Sequence, residues 1–185
     1  MTAPPFLILP GLLTPRDLAQ VHAGLRTATG AASTVTGAGS LATVSLARRS
    51  TRLIAPPEVD ALLRARLDAA RPALEQHFQR PLGGLEPLQL LRYGPGDYFV
   101  AHQDGNTPLI HDDTRHRRVS VSLLLSDPAD WTGAELVFHG EGPRQTAGVP
   151  AGGAIAFRSE TTHEVTPLLT GERLSVAGWF RAVGT

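Results

Sequence analysis

The chain has 185 residues, no cysteine, and equal numbers of basic and acidic residues, 17 of each, so its formal net charge is zero. All the basic residues are arginine, which excludes a lysine Schiff base, a lysine general base and a P-loop lysine. The lack of cysteine excludes disulfides, thiolate nucleophiles and thiolate metal sites, and it fits a cytoplasmic protein. Charge neutrality argues against nucleic acid as a partner, and no run approaches the roughly 20 apolar residues of a membrane helix. Chemistry based on histidine, carboxylate, tyrosine and arginine remains.

The first eighty residues predict a strand followed by helices. Phe6–Leu9 is a short apolar run that predicts a strand. Thr14-Pro15 is typical of a helix start, with an N-cap threonine and a first-turn proline. The Gly/Ala/Ser/Thr stretch 30–40 has no periodicity and predicts a loop, a candidate lid. A second helix is expected from Pro57, with a break at Pro72.

After Pro87 the sequence consists of short apolar runs separated by Gly, Pro, Asp and Asn. This pattern predicts an all-β body such as a sandwich, jelly roll or barrel. The predicted strands are Leu88–Tyr93, Tyr98–His102, Val119–Leu125, Glu135–Phe138, Ala154–Phe157, Glu164–Pro167 and Leu174–Phe180. We therefore expect a single domain over residues 1–185 of the α+β class, mainly β, in which helices within 12–80 flank a β core at 87–182.

Two histidines and an aspartate form a candidate metal site. His102 and Asp104 lie two residues apart at the end of a predicted strand, so their side chains point to the same face. His163 stands at the start of a later strand. Two imidazoles and one carboxylate on one face of an ion leave the opposite positions open, as in the facial triad of non-haem Fe(II) oxygenases. A structural zinc site would need a further histidine, and a lone His-x-Asp is often only a satisfied polar pair.

Arg173 is a candidate anion-binding residue. It begins an apolar strand, and a buried guanidinium needs an anionic partner. Ser175 lies two residues further on the same face and could add a hydroxyl to such a site. The alternative interpretation is a structural ion pair with a residue such as Glu135 or Glu164.

The segment from Leu91 to Phe180 resembles the Fe(II)- and 2-oxoglutarate-dependent dioxygenases. The resemblance is strongest to the prolyl 4-hydroxylase-like group, which includes the bacterial PKHD-type hydroxylases. It is carried, in order, by Leu91–Tyr98, His102-x-Asp104, Arg118–Asp127, Gly133-Ala134-Glu135-Leu136, Pro150–Phe157, His163 and Arg173.

The resemblance implies a double-stranded β-helix (jelly roll) with the metal in its open mouth. It implies that Fe(II) is held by the triad His102, Asp104 and His163, and that Arg173 binds the distal carboxylate of 2-oxoglutarate. It also implies that Tyr93 lines the cosubstrate pocket, and that Tyr98 and Trp179 lie on the substrate side, unless these three aromatic side chains only pack. The implied reaction consumes O2, with ascorbate as a candidate reductant, and hydroxylates an aliphatic carbon while succinate and CO2 are released.

The sequence also departs from the family pattern. Leu124 stands where many relatives carry a tyrosine, which removes one expected hydrogen bond to the cosubstrate, and arginine replaces the lysine of many prolyl hydroxylases. The charged loop 105–118 is a candidate lid or substrate grip, and its His111 and His116 are expected at the surface.

Three alternative functions stay open beside the hydroxylase interpretation. They are a nucleic-acid demethylase of the same superfamily, a cupin-like metal-binding jelly roll without oxygenase activity, and a sugar- or peptide-binding sandwich. The substrate is a small molecule or a peptide, prolyl or another amino acid, and the oligomeric state is left open.

Overall fold

The fold consists of two antiparallel sheets and two helices, and a computed structural model describes residues 5–26, 28–33, 35–36, 42–43 and 46–185. The helices are α1 (Pro15–Leu25) and α2 (Pro57–Phe78), with short 3-10 helices at Asp113–His116 and Pro128–Asp130. The strands are β1 (Phe6–Leu9), β2 (Gly30–Ala32), β3 (Val35–Thr36), β4 (Ala42–Thr43), β5 (Arg48–Arg49), β6 (Thr51–Leu53), β7 (Gln89–Tyr93), β8 (Tyr98–His102), β9 (Arg117–Leu124), β10 (Thr132–Gly133), β11 (Leu136–Phe138), β12 (Gln145–Ala147), β13 (Ala154–Arg158), β14 (His163–Val165), β15 (Leu168–Thr170) and β16 (Arg173–Arg181).

The strands form two main sheets whose inner faces share one core. The larger sheet has the order β1-β13-β9-β16-β7-β6-β2, and the smaller has the order β12-β11-β14-β8-β5. The pairs β10–β15 and β3–β4 form two short ladders. Side chains from both sheets, among them Tyr93 and Phe157 of the larger and Phe138 of the smaller, pack together between them. This arrangement is the predicted double-stranded β-helix, or jelly roll.

Strand β9 explains how one sheet can carry a helix layer on one side and a polar site on the other. Successive side chains of a strand point to opposite faces. Val119, Val121 and Leu123 pack in the core cluster that includes the helices. Ser120 and Ser122 face the opposite side and line a cavity between the sheets. The alternation of apolar residues and serine in the sequence therefore separates the supporting core from the site.

The two helices begin where the sequence predicts, but α2 is not broken. Thr14 caps α1, accepting a hydrogen bond from the Asp17 amide, while Asp17 accepts one from the Thr14 amide. The predicted break at Pro72 is wrong, because α2 runs through this residue to Phe78. Pro72 lies on the exposed side of the helix, where water can satisfy the carbonyl that loses its partner, and the buried Leu67 and Leu74 hold the helix on either side. No helix in the described ranges is long and apolar enough to cross a membrane.

The predicted loop 30–40 is only partly a loop. Its first residues form β2, which pairs with β6 at the edge of the larger sheet, and Val35–Thr36 pairs with Ala42–Thr43. Residues 34 and 37–40 lie outside the described residues, so the lid prediction for this stretch is not tested. Glycine and alanine have low strand propensity, which is why the pattern was missed. Gly30 is required by packing, because a Cβ atom there would lie 2.5 Å from the Thr51 methyl group.

Candidate metal and cosubstrate site

The three residues of the candidate metal site are brought together by two neighbouring strands of the smaller sheet. His102 ends β8 and lies directly opposite His163, the first residue of β14. Asp104 follows two residues after His102, where its backbone amide donates to the Ser159 carbonyl at 2.9 Å. One ligand atom from each of the three side chains lies within 4.8 Å of the others. Strand pairing across a gap of sixty residues therefore creates the cluster.

Hydrogen bonds orient both imidazoles so that the same nitrogen of each faces the cluster. His102 Nδ1 lies 2.8 Å from the Val100 carbonyl, and His163 Nδ1 lies 2.9 Å from the Thr161 carbonyl. A carbonyl only accepts, so each Nδ1 carries a proton, and in the neutral imidazole Nε2 then keeps a free lone pair that faces the cluster. The Nε2 atoms lie 3.3 Å (His102) and 3.7 Å (His163) from the Asp104 carboxylate oxygens. Ligands on one face of an octahedral ion with bonds of about 2.1 Å lie roughly 3 Å apart, so the cluster fits a metal ion after a small contraction.

The charge states of the cluster also suit a cation. Burial alone would raise the pKa of Asp104, but His163, His102 and a hydrogen bond from Ser120 outweigh it and hold the pKa far below the usual range. Burial lowers the pKa of His163 to about 4, against the opposing effect of Asp104. At neutral pH the cluster therefore offers an ionised carboxylate and at least one neutral imidazole, the forms that bind a metal.

Arg173 lies buried on β16 without an acidic partner among the residues that the structure describes. Its side chain donates from Nη1 to the Ser175 hydroxyl at 2.9 Å, and its guanidinium lies over the rings of Tyr93 and Trp131, 5.5 and 5.8 Å from their centroids. The residue is only 5% exposed. Burial lowers the pKa of Arg173, yet a guanidinium stays charged in proteins. A buried, charged guanidinium without a carboxylate has the charge and the geometry to bind an anion.

The alternative interpretation of Arg173 as half of a structural ion pair finds no partner. Glu164 instead lies 3.3 Å from His139 Nε2 and 3.7 Å from Arg144. Glu135 is exposed. The undescribed residues include no aspartate or glutamate, so they cannot supply a carboxylate either. Within the described residues, the positive charge of Arg173 therefore has no carboxylate partner.

Three spaces that share lining residues surround the cluster and Arg173. The inner cavity, about 60 Å³, is lined by the His-Asp-His cluster, Arg173 and Ser175. The outer groove, about 410 Å³, shares His102, Asp104 and Trp179 with it. The rear cavity, about 570 Å³, is lined by Arg173 and by mostly apolar residues that include Leu124 and Trp131, and the exposed Glu135 also lines it without pairing with Arg173. Leu124, which stands where many members of the resembled family carry a tyrosine, lines this cavity beside Arg173, so its side chain offers no phenol there.

The structure brings two of the three predicted aromatic residues to these spaces. Tyr93 is 1% exposed and lines the inner cavity, and Trp179 lines both the inner cavity and the outer groove. Tyr98 is not brought there, and its hydroxyl donates to the Leu46 carbonyl at 2.7 Å. The reason is a β-bulge in β8, where the four residues Phe99–His102 lie opposite only the three residues His163–Val165 of β14. The extra residue shifts the alternation, so Phe99 rather than Tyr98 shares a face with His102.

The remaining histidines lie outside the cluster. His111 is exposed, His116 Nε2 accepts from the Arg115 guanidinium, and His22 bonds the Leu125 carbonyl. The loop 105–118 contributes Ile110, Asp112 and Thr114 to the wall of the outer groove.

Four residues of the site were missed by sequence reasoning. Arg48 and Phe99 line both the inner cavity and the outer groove, Ser120 lines the inner cavity and lowers the pKa of Asp104, and the Arg173 guanidinium lies over the Trp131 ring. The alternation within β9 was enough to place Ser120 on the site face. Arg48 lies in a two-residue strand that follows a stretch without periodicity, so no local signal marks it.

Comparisons with known proteins agree with this geometry. A family model described as the 2OG-Fe(II) oxygenase superfamily matches residues 88–181. A PKHD-type hydroxylase of Picosynechococcus sp. is 36% identical over 51% of this chain, and the match spans only 42% of that relative's length. A PKHD-type hydroxylase of Burkholderia ambifaria is 33% identical over 96% of this chain and 78% of the relative.

Solved structures show the same fold. A prolyl-4-hydroxylase from Pseudomonas putida superimposes with a TM-score of 0.72 at 24% identity, over 97% of this chain and 94% of that one. A prolyl hydroxylase from Trichoplax adhaerens, solved in complex with a hypoxia inducible factor peptide, gives 0.70 at 17% identity, over 96% and 83%. The family match and the relative matched over 96% of this chain establish that the chain belongs to the 2OG-Fe(II) oxygenase superfamily and to its PKHD-type hydroxylase group.

Proposed function

We propose that this protein is an Fe(II)- and 2-oxoglutarate-dependent hydroxylase that acts on an aliphatic carbon of a prolyl, other amino-acid or peptide substrate. One observation carries the proposal: a His-Asp-His cluster and a buried arginine without an acidic partner line the same cavity. In this proposal residues 1–185 form a single domain, and the protein acts in the cytoplasm. The PKHD-type relatives and the prolyl hydroxylase neighbours support the reaction class.

The metal would be held by the Nε2 atoms of His102 and His163 and by the Asp104 carboxylate. The carbonyls of Val100 and Thr161 fix the ring orientations, so neither ring has to reorient before it binds. Partners of this kind, behind the ligands, raise metal affinity by fixing ligand orientation. The three ligands leave the remaining positions for the cosubstrate and O2.

The cosubstrate would be held at its far carboxylate by Arg173 and Ser175. The guanidinium fork suits a carboxylate, and its position between two aromatic rings restricts it to one orientation. Ser175 accepts from Nη1 and keeps its own proton free to donate to the bound anion. Tyr93 closes the side of the inner cavity and keeps water from the ion pair.

When bound, Fe(II) and 2-oxoglutarate supply O2 activation, in which the cosubstrate is oxidised to succinate and CO2 and a substrate C–H bond becomes C–OH. The protein supplies geometry, an anion clamp and a dry site. Phe99 stacks on the His102 ring at 3.6 Å between centroids and shields that ligand. Trp179 lies between the inner cavity and the outer groove. The substrate would approach from the outer groove.

The test is succinate release from 2-oxoglutarate with Fe(II) and O2, with and without ascorbate as reductant. The native protein should release succinate, and Asp104→Ala should release none. Asp68→Ala, at an exposed aspartate of α2, serves as the control and should retain turnover. A native protein that binds iron but releases no succinate would favour the cupin-like alternative, which gives Arg173 no task.

A further inference from the structure

A second arginine, Arg48, lines the same inner cavity as the metal cluster and Arg173. Arg48, on β5, is 7% exposed and lines both the inner cavity and the outer groove. Its guanidinium carbon lies 4.8 Å from the centre of the Phe99 ring, and that ring stacks on His102. Arg48 is therefore separated from a proposed metal ligand by one aromatic ring.

Only neutral groups bind the Arg48 guanidinium. Nε donates to the Ser50 hydroxyl and Nη1 to the Gln89 amide oxygen, each at 3.1 Å. Within the described residues Arg48 forms no ion pair, and the undescribed ones contain no acidic residue. The other arginine of the outer groove differs, since Arg117 is neutralised by Glu86 at 2.8 Å. Arg48 is the one groove arginine whose charge has no counterpart in the described part of the chain.

The charge of the filled site leaves a place for one more anion. The inner cavity carries a positive charge from each of Arg48 and Arg173 and a negative charge from Asp104. A divalent metal adds two positive charges, and 2-oxoglutarate adds two negative charges. The complete centre would keep one net positive charge in a largely buried site. Such an excess is costly unless a further anion neutralises it.

This further anion would bind from the outer groove, which Arg48 lines, because Arg173 would already bind the cosubstrate. The groove volume of about 410 Å³ falls in the range of small-ligand sites. Its acidic residues do not compete for Arg48, since Asp104 belongs to the metal cluster and Asp112 accepts hydrogen bonds from Thr114. Gln89 holds the guanidinium in place from the groove wall.

We propose that Arg48 binds the free carboxylate of the substrate, so that the substrate is a free amino acid or the carboxyl-terminal residue of a short peptide. The inference rests on the proposed hydroxylase function and narrows its substrate class. Residues inside a peptide chain lack this carboxylate and are poor substrates. Arg48 thus acts as a specificity-determining residue, whereas Arg173 acts on the cosubstrate.

The experiment compares carboxylates with their neutral isosteres. The twenty free amino acids, dipeptides ending in the same residues, and the amide of each are assayed for stimulation of succinate release. In parallel, the shift in melting temperature on ligand addition is measured with Mn(II) and 2-oxoglutarate bound, since a ligand that binds the folded state raises it. The native protein should prefer at least one acid over its amide by roughly 30-fold or more in kcat/KM and in affinity, as for a buried charge pair.

Variants assign the preference to Arg48. Arg48→Met should remove it, raising the KM of the acid far more than that of 2-oxoglutarate, and Arg48→Lys should restore part of it. Arg49→Met is the matched control, because Arg49 is the next residue in the chain but is exposed and paired with Asp97. It should behave as the native protein does.

The outcomes separate this inference from the proposed function. Equal binding and turnover of acids and amides, an unchanged preference in Arg48→Met, or no carboxylate ligand in the whole panel would overturn it, even where 2-oxoglutarate binds normally. Failure of the proposed function has a different signature, namely no binding of 2-oxoglutarate to the metal-loaded protein.

Discussion

Replacing Arg173 with methionine should weaken cosubstrate binding while stabilising the free protein. The guanidinium is 5% exposed, donates only to the Ser175 hydroxyl, and faces no carboxylate in the described structure. Without cosubstrate, folding therefore buries a positive charge with no counter-ion. Methionine is shorter but unbranched, flexible and uncharged, and it can pack against Tyr93 and Trp131.

The two effects have opposite signs and separate magnitudes. Replacing buried charged groups by apolar ones is often neutral or stabilising by about 1 to 4 kcal/mol, and each kcal/mol raises the melting temperature of a chain of this size by roughly 2 to 4 °C. Loss of one partner of a buried, hydrogen-bonded charge pair costs about 2 to 5 kcal/mol in binding. The Kd for 2-oxoglutarate should then rise roughly 30-fold to several thousand-fold.

Thermal unfolding with and without Mn(II) and a series of 2-oxoglutarate concentrations measures both quantities. Arg173→Met should melt at or above the native temperature without cosubstrate and should lose the stabilisation that 2-oxoglutarate gives the native protein. Arg52→Met, at an exposed arginine of the same sheet, should change neither quantity. The reasoning is refuted if the variant melts several degrees lower without cosubstrate and still binds 2-oxoglutarate with native affinity.

Three further changes test the fold. The hydrogen bond from Arg66 lowers the pKa of Asp17 from 3.8 to about 2. The stability that this bond gives is therefore complete above about pH 4 and is lost as the pH falls towards 2. In urea unfolding, the difference in the free energy of unfolding between the native protein and Asp17→Asn should shrink as the pH falls from about 4 to about 2. Leu67→Ala removes a side chain that is 1% exposed in the helix–sheet core, and it should lower the free energy of unfolding by about 2 to 5 kcal/mol in the same assay. Gly105→Ala would place a Cβ atom 2.2 Å from the Thr114 carbonyl oxygen, so it should displace the loop 105–118 and lower the melting temperature; an unchanged melting temperature would contradict this packing.

The sequence predicted the β core well because its signals are local. Strand β8 was predicted with the observed bounds, and the observed β9, Arg117–Leu124, differs by two residues at one end and one at the other from the prediction. The alternation of apolar and polar residues along a strand fixes which face is buried, and turn residues mark its ends. The helix start at Thr14 was equally visible, because a cap depends on a few adjacent residues.

The parts that could not be predicted depend on tertiary context. The helix through Pro72 survives because the proline faces solvent, and β2 forms because β6 lies beside it. The orientation of Tyr98 depends on an extra residue in β8, which no pattern within that strand reveals. Arg48 becomes part of the site only because its short strand pairs with β8. In each case the deciding interaction joins segments that are distant in the sequence.

The central claim, that this chain holds Fe(II) and 2-oxoglutarate together in the inner cavity, is tested most directly by anaerobic visible spectroscopy. Addition of 2-oxoglutarate to the Fe(II)-loaded protein should produce the weak charge-transfer band of the chelate. His163→Ala, checked for native folding by circular dichroism, should give no band, and Arg173→Met should need a much higher 2-oxoglutarate concentration. A native protein that demonstrably binds Fe(II) but develops no band at saturating 2-oxoglutarate would contradict the account.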